Sequence, residues 1–244
     1  MTPSPPEPMT RPWGPGSTVL LGLGLLVAAT AAFGVGYIGL VGAGIAFHPG
    51  ADVRPMMDEP LADMITTSLV LLVLLFGSWL AVLVRDLPAR DYLALRAPAL
   101  RPALMYAAIA ALWIAAVLVL GPEFGHYPGL FLAERPGSLS AALLAAAALR
   151  FVGVPIAIEV YARGFLWYGL AAGRRVPVLA FVLTTLVATW LHCFFFAFGP
   201  VYWLLALVES AFLGMARART GSLWLCVGLH AAMVVGLFGA GIVG

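Results

Sequence analysis

The sequence predicts an all-α fold, a polytopic transmembrane helical bundle of about seven spans with a polar intramembrane chamber. Three observations support this prediction. Of the 244 residues, 63% are hydrophobic and only 10% are charged, several apolar runs exceed the ~18 residues that mark a membrane span, and a few ionisable residues fall inside those runs. The composition indicates a protein embedded in the lipid bilayer. Its small net charge of +2 is spread over loops, which indicates no nucleic-acid partner.

The predicted spans follow one another with short connections. They are Thr18–Phe47, Ala62–Val84, Pro102–Leu120, Leu139–Ala172, Pro177–Phe198, Val201–Ala216 and Ser222–Val243. The fourth run is too long for one straight span, so we expect an interfacial stretch up to Arg150 and a kink near Pro155. If that run divides, the number of spans rises by one.

The chain is expected to fall into three regions. Residues 1–17 are rich in proline, and we expect a disordered tail there. A signal peptide is not expected, because no small-residue cleavage site closely follows the first apolar run. Residues 18–101 are predicted to hold N-terminal transmembrane helices and a cytoplasmic linker, and residues 102–244 the core bundle.

Arginine placement predicts the orientation of the bundle, because cytoplasmic loops collect basic residues. The loops after the second, fourth and sixth predicted spans hold most of the arginines: Arg85, Arg90, Arg96, Arg101, Arg174, Arg175, Arg217 and Arg219. We therefore expect these loops to be cytoplasmic and both termini to lie outside.

Ionisable residues inside the predicted spans are the first candidates for function. They are Glu159, Arg163, His192, Glu209 and His230. A charge at the bilayer centre costs at least about 2.5 kcal/mol, so pairing, water or function must offset it. Glu159 and Arg163 stand four residues apart on one helix face, which predicts an ion pair. Taken alone, that pair could equally serve only to hold the helices of the bundle together. Glu209 is expected at most to support the residues that carry out the chemistry.

Depth in the membrane relates the two histidines to Glu159. Glu159 lies 13 residues before Ala172, and His192 lies 15 residues after Pro177, so both are about 20–22 Å from the turn that joins those spans. His230 is about 15 Å from the same side. A carboxylate and two imidazoles at similar depth predict a hydrolytic site with a glutamate base, or a site for a metal such as zinc.

The sequence also resembles the CPBP family, which comprises CAAX proteases and bacteriocin-processing enzymes. The family carries a Pro-led EExxxRG motif, then FxxxH, then a GSLW…HxxxN helix. Here VPIAIEVYARGFLWYGL, ATWLHCFFFAFG and FLGMARARTGSLWLCVGLHAAMVV resemble these motifs in order, and DYLALRAPALRPAL is similar to the segment that precedes them. The resemblance extends from about Asp91 to the C-terminus.

This resemblance implies a helical bundle around a polar chamber and a glutamate-dependent intramembrane endopeptidase, in this case of a bacterial inner membrane. It implies Glu159, Arg163, His192 and His230 as the catalytic set. The sequence departs from the family pattern at three positions, which are Ile158 for the first Glu, Ala188 for the Phe and Val234 for the Asn. Because the first Glu activates water in the family, Glu159 would have to take over that role.

Two cysteines provide an alternative nucleophile. Cys226 lies four residues before His230 on one predicted helix, and Cys193 directly follows His192. A histidine-activated thiolate at Cys226 could replace glutamate-activated water. Buried cysteines more often serve as small hydrophobic residues.

The leading hypothesis is an endopeptidase that cleaves membrane-anchored peptide segments, such as C-terminal sorting tails or leader peptides. Its partners would be that peptide substrate and the bilayer. A non-catalytic membrane protein of a binding or immunity type is the alternative. A proton-coupled transporter is less well supported, because the sequence shows no internal repeat.

Overall fold

The computed structural model of the chain describes residues 13–47, 60–120, 141–171, 178–196 and 200–239. All regular structure in these residues is helical. The helices are α1 Pro15–Phe47, α2 Pro60–Leu83, α3 Ala89–Tyr92, α4 Leu100–Leu120, α5 Ala141–Ala148, α6 Val154–Glu159, α7 Trp167–Ala171, α8 Val178–Phe196, α9 Pro200–Thr220 and α10 Leu223–Gly239, with π-helical segments π1 Leu149–Gly153 and π2 Val160–Leu166. Most of the predicted tail and the turn that carries Arg174 and Arg175 lie outside the described residues.

Six helical stretches among the described residues are long and apolar enough to cross a membrane, and the apolar part of α10, Leu223–Leu237, is shorter. Their outward faces carry large apolar side chains such as Leu112 and Val119, each more than 70% exposed. Such surfaces are stable against lipid tails and unstable against water. The predicted all-α membrane bundle is thus confirmed, and the chain is a multi-pass membrane protein.

The fourth span, residues 141–171, is one continuous helical run that changes its winding twice. Pro155 has no N–H to donate to the carbonyl four residues earlier. The chain adopts π1 immediately before α6, which begins with Val154 and Pro155. A π segment thus lies beside Pro155, where a kink was predicted, and the run does not divide. The second segment, π2, directly follows Glu159 and contains Arg163, and π-helical turns are frequent at functional sites.

The start of α1 lies beside the end of α2. The Trp13 indole donates a hydrogen bond to the Ala81 carbonyl at 2.9 Å, and the Arg85 guanidinium lies 4.4 Å from the centre of the Trp13 ring. Two antiparallel spans return the chain to the side from which it started. The prediction that the N-terminus lies outside while the loop after α2 is cytoplasmic was therefore wrong, because both are on one side.

The linker after α2 and the turn between α9 and α10 meet at the same end of the bundle. The Leu223 amide donates to the Ala94 carbonyl at 3.0 Å, and the Ser222 hydroxyl donates to the Arg96 carbonyl. Gly221 ends α9 with φ of 65°, a left-handed conformation that glycine adopts without steric cost. Two of the loops that were predicted to be cytoplasmic therefore share one side.

An apolar cluster joins α1 and α2 to α6, π2, α8 and α10, on which Glu159, Arg163, His192 and His230 lie. It includes Leu74 of α2, Ile158 of α6, Tyr161 of π2 and Leu191 of α8. The Tyr161 hydroxyl also donates to the Gly22 carbonyl of α1 at 2.6 Å. The core is thus continuous across the domain boundary predicted after residue 101, and that boundary stays a prediction.

Candidate active site

Glu159 and Arg163 form a fully buried ion pair where α6 passes into π2. Arg163 Nη1 donates to Glu159 Oε1 at 2.9 Å, and neither side chain is exposed. Arg163 Nη2 donates to the Ser210 carbonyl of α9 at 2.7 Å. The predicted pair is confirmed. A planar guanidinium with separate donors can bridge a carboxylate and a neighbouring helix at the same time, which a lysine ammonium does less well.

His230 of α10 approaches the same carboxylate oxygen from the other side. Its Nδ1 lies 3.0 Å from Glu159 Oε1, and the ring is 1% exposed. The expectation that His230 lies near the level of Glu159 is confirmed. When Glu159 is ionised it only accepts hydrogen bonds, so Nδ1 is then the donor and carries the proton.

His192 of α8 lies beside His230 and faces a second carboxylate. The two imidazole centres are 5.1 Å apart, and His192 Nδ1 lies 3.9 Å from Glu209 Oε2, longer than a hydrogen bond. The edge of the Tyr202 ring packs against His192, with ring centres 5.8 Å apart. Two carboxylate–imidazole pairs, Glu159–His230 and Glu209–His192, thus lie side by side inside the bundle.

Several polar atoms of these pairs are buried without a hydrogen-bond partner among the described residues, among them Glu159 Oε2, Glu209 Oε1 and His230 Nε2. A buried polar atom left without a partner costs about 1–3 kcal/mol. Such atoms in a native fold call for a functional explanation. The arrangement leaves two carboxylate oxygens and one imidazole nitrogen available to a reactant or an ion.

One subset of these residues has the geometry of a metal-binding group. Ligand atoms of His192, Glu209 and His230 all lie within 4.8 Å of one another, and all three residues are buried. The sequence suggested His192, His230 and Glu159 for a metal. In the structure, Glu159 instead contacts His230 through the ring nitrogen Nδ1.

The thiol of Cys226 contacts backbone carbonyl oxygens, whereas His192 and His230 face carboxylates. Its thiol lies 3.5 Å from the carbonyl oxygens of Leu213 and Ser222, to which it can donate, and the side chain is fully buried. Cys193 is also fully buried. The neutral thiol that these carbonyls favour is the unreactive form of cysteine.

The three departures from the family pattern are buried, and two of them lie in apolar surroundings. Ile158 and Ala188 belong to the main apolar cluster, and Val234 is fully buried. A carboxylate at position 158 would be placed among hydrocarbon side chains in this structure. The second carboxylate of the site comes from Glu209 on another helix.

Sequence reasoning undervalued the contribution of α9. Arg217 was predicted to lie in a loop, but α9 continues to Thr220, and Arg217 is 6% exposed. Arg217 Nε donates to the Arg163 carbonyl at 2.9 Å, which supports the π2 backbone at the site. Helical spacing was the available signal, since Glu209, Leu213 and Arg217 recur every four residues on the buried face of α9.

Two apolar cavities in the described part of the chain lie apart from the polar residues of the site. One cavity of about 420 Å³ lies between α4 and α10, and the other, of about 520 Å³, lies between α1 and Trp190. Neither is lined by any of the ionisable residues of the site. The predicted polar chamber therefore stays a prediction, and the site residues themselves are buried.

The fold and the site define a polytopic helical membrane protein with two buried carboxylate–imidazole pairs at its centre. Residues 139–236 match the family model described as "Type II CAAX prenyl endopeptidase Rce1-like". This part of the chain is thus similar to Rce1-like endopeptidases, as the motifs indicated, and the match supports peptide hydrolysis at the level of that family. The matched region contains all the ionisable residues of the site. Comparison of the chain with the curated proteins and with the solved structures found no match.

Proposed function

We propose that the protein is an intramembrane endopeptidase of a bacterial inner membrane, and that Glu159 activates the attacking water. The observation that supports this proposal is the state of the Glu159 carboxylate. One oxygen is fixed by Arg163 at 2.9 Å and His230 at 3.0 Å, and the other has no partner among the described residues. A general base needs a held carboxylate with one oxygen that can receive a proton.

The reaction follows from these contacts. Glu159 Oε2 accepts a proton from water while the water oxygen forms a bond to the carbonyl carbon of the scissile peptide. Negative charge develops on the carbonyl oxygen, which faces His192 and is stabilised by an N–H of that imidazole, while His230 Nδ1 stays hydrogen-bonded to Glu159 Oε1. The C–N bond then breaks, and the proton passes from Glu159 to the departing amine nitrogen. Arg163 keeps Glu159 oriented and balances its charge throughout.

The depth of the site favours one class of substrate. Glu159 lies about 18 Å along the helix axis from the end of α7 at Ala171, after which the arginine-bearing turn predicted from the sequence follows; this is more than half of a hydrocarbon core of about 30 Å. If that arginine-bearing turn is cytoplasmic, the bond that is cut lies in the outer half of the membrane. This supports membrane-anchored segments of exported proteins, namely C-terminal sorting tails or leader peptides, as substrates.

The test compares the termini of membrane proteins in the native host. Three strains are needed: wild type, a deletion, and the deletion complemented with Glu159→Gln at matched expression. A fourth strain with Asp91→Asn, which alters an exposed ion pair with Arg96, is the matched control. Uncleaved tails are expected in the deletion and the Glu159→Gln strain only. Complete cleavage in the Glu159→Gln strain would overturn the role of Glu159.

A second candidate is a non-catalytic member of the family that binds a membrane partner. It is favoured by the apolar packing of Ile158 and the burial of Val234, where the family motif has polar residues. This candidate predicts that Glu159→Gln restores the wild-type phenotype and that no protein terminus differs between the strains.

A further inference from the structure

Three helices bring one metal-ligand side chain each to the same point. His192 comes from α8, Glu209 from α9 and His230 from α10, and their ligand atoms lie within 4.8 Å of one another. Acidic side chains on a protein surface often lie this close together without binding a metal, but these three side chains are only 1–4% exposed. Buried side chains held on three different helices are fixed in position, as a metal site requires.

The environment of His230 fixes which of its nitrogens can bind an ion. Nδ1 is 3.0 Å from Glu159 Oε1, and Arg163 holds that carboxylate from its other side. With the Nδ1 proton directed at the carboxylate, neutral His230 presents the lone pair of Nε2. That atom is buried and has no partner among the described residues. A histidine that donates to a carboxylate through one nitrogen and binds through the other is the usual arrangement at zinc sites.

Glu209 provides an independent indication. It lies in the middle of a membrane span, where a carboxylate is costly, and it is 4% exposed. Its Oε1 has no partner among the described residues, and its Oε2 is 3.9 Å from His192 Nδ1. A cation shared with the two histidines would satisfy both the charge and the orphaned oxygen.

We propose that His192, Glu209 and His230 form a binding site for a divalent transition metal, with zinc as the expected ion. Two imidazoles and one carboxylate are a ligand set of catalytic zinc sites, which keep a fourth position for water or substrate. Ligand atoms of one tetrahedral zinc are about 3.4 Å apart, given bonds of about 2.1 Å, so the side chains would close slightly on binding. The catalytic part of the inference rests on the proposed function: the ion would polarise the scissile carbonyl, and Glu159 would remain the base.

The test is metal binding by the full chain, purified in detergent and depleted with a chelator. Cobalt(II) is the probe, because its visible absorption identifies four-coordinate nitrogen and oxygen ligation, and zinc is then measured by mass spectrometry and by competition with cobalt. We expect one ion per chain for the wild type and loss of binding in Glu209→Gln and in His192→Asn. Glu159→Gln should weaken binding about 10–100-fold, as loss of a carboxylate behind a histidine ligand does. Asp91→Asn and Cys226→Ala should bind as the wild type does.

Folding is monitored separately, by the cooperative thermal unfolding of each metal-free variant, and zinc should raise the melting temperature only of variants that bind it; Glu209→Asp is included as a milder change. A wild type without cobalt bands, or equal binding by the wild type and a folded Glu209→Gln, overturns the metal site. Chelator-resistant cleavage that still requires Glu159 also overturns the metal site and leaves the endopeptidase standing. Zinc binding without any cleavage supports the site and overturns the proposed function.

Discussion

The carboxylate of Glu159 and the imidazole of His230 meet at 3.0 Å although 71 residues separate them in the chain. Arg163 binds the same carboxylate oxygen, so one atom of Glu159 joins α6, π2 and α10. The contact therefore contributes both to the stability of the bundle and to the proposed chemistry of Glu159. The variants below are chosen to change one of these properties without the other.

Arg163→Met should destabilise the protein strongly. It leaves the buried Glu159 without its guanidinium and the Ser210 carbonyl without its donor. Removing one partner of a buried pair costs about 3–5 kcal/mol. Thermal unfolding in detergent measures the loss, and Arg163→Lys should recover only part of it.

The matched control for that variant is Arg96→Met. Arg96 pairs with Asp91 at 2.8 Å, but both side chains are more than half exposed. Exposed pairs contribute about 0–1 kcal/mol, so the melting temperature should change little. Equal losses in the two variants would contradict the structural role assigned to Arg163.

Ile158→Glu should reduce stability instead of increasing activity, although it restores the family motif. Position 158 is fully buried in the apolar cluster, and an unpaired carboxylate in a membrane span costs at least about 2.5 kcal/mol. The melting temperature and the amount of folded protein measure this effect, with Ile158→Val as the control. A stable Ile158→Glu variant with faster cleavage would show that position 158 can reach the site.

Gly169→Ala should separate α1 from α7. A Cβ at position 169 would overlap Thr18, which is fully buried and closely packed. Overpacking of this kind costs about 1–3 kcal/mol, measured by thermal unfolding. Thr18→Ala combined with Gly169→Ala should recover much of the loss, as expected for two residues in contact. Gly24→Ala is the control, because a Cβ at Gly24 meets nothing within 4 Å.

Cys226→Ala should retain cleavage within about twofold, because its thiol can donate to two backbone carbonyls and makes no described contact with the carboxylate–imidazole pairs. Loss of a true nucleophile would remove nearly all activity. The rate of cleavage is measured for the variant and for wild type treated with a thiol-blocking reagent, and it shows whether the Cys226 thiol is the nucleophile. Abolished cleavage in Cys226→Ala, with the protein still folded, would favour the cysteine mechanism.

Local sequence properties determined the fold class and much of the site. Apolar runs of sufficient length can only be helices in a bilayer, because the backbone must satisfy its own hydrogen bonds there. The spacing of Glu159 and Arg163 follows from the helical repeat, and depth along the helices brought His230 close to them. These predictions needed only the helical rise and the cost of burying charge.

The tertiary structure alone decided which of the buried groups meet. Helix rotation and tilt are set by packing between neighbours and not by the hydropathy of one span, so the sequence could not assign Glu209 to His192 or bring Arg217 to the π2 backbone. The sequence analysis also put the N-terminus and the loop after α2 on opposite sides, whereas the Trp13–Ala81 hydrogen bond puts them on the same side. The apolar packing of Ile158 and the side of His230 that faces Glu159 likewise depend on how the helices turn toward one another.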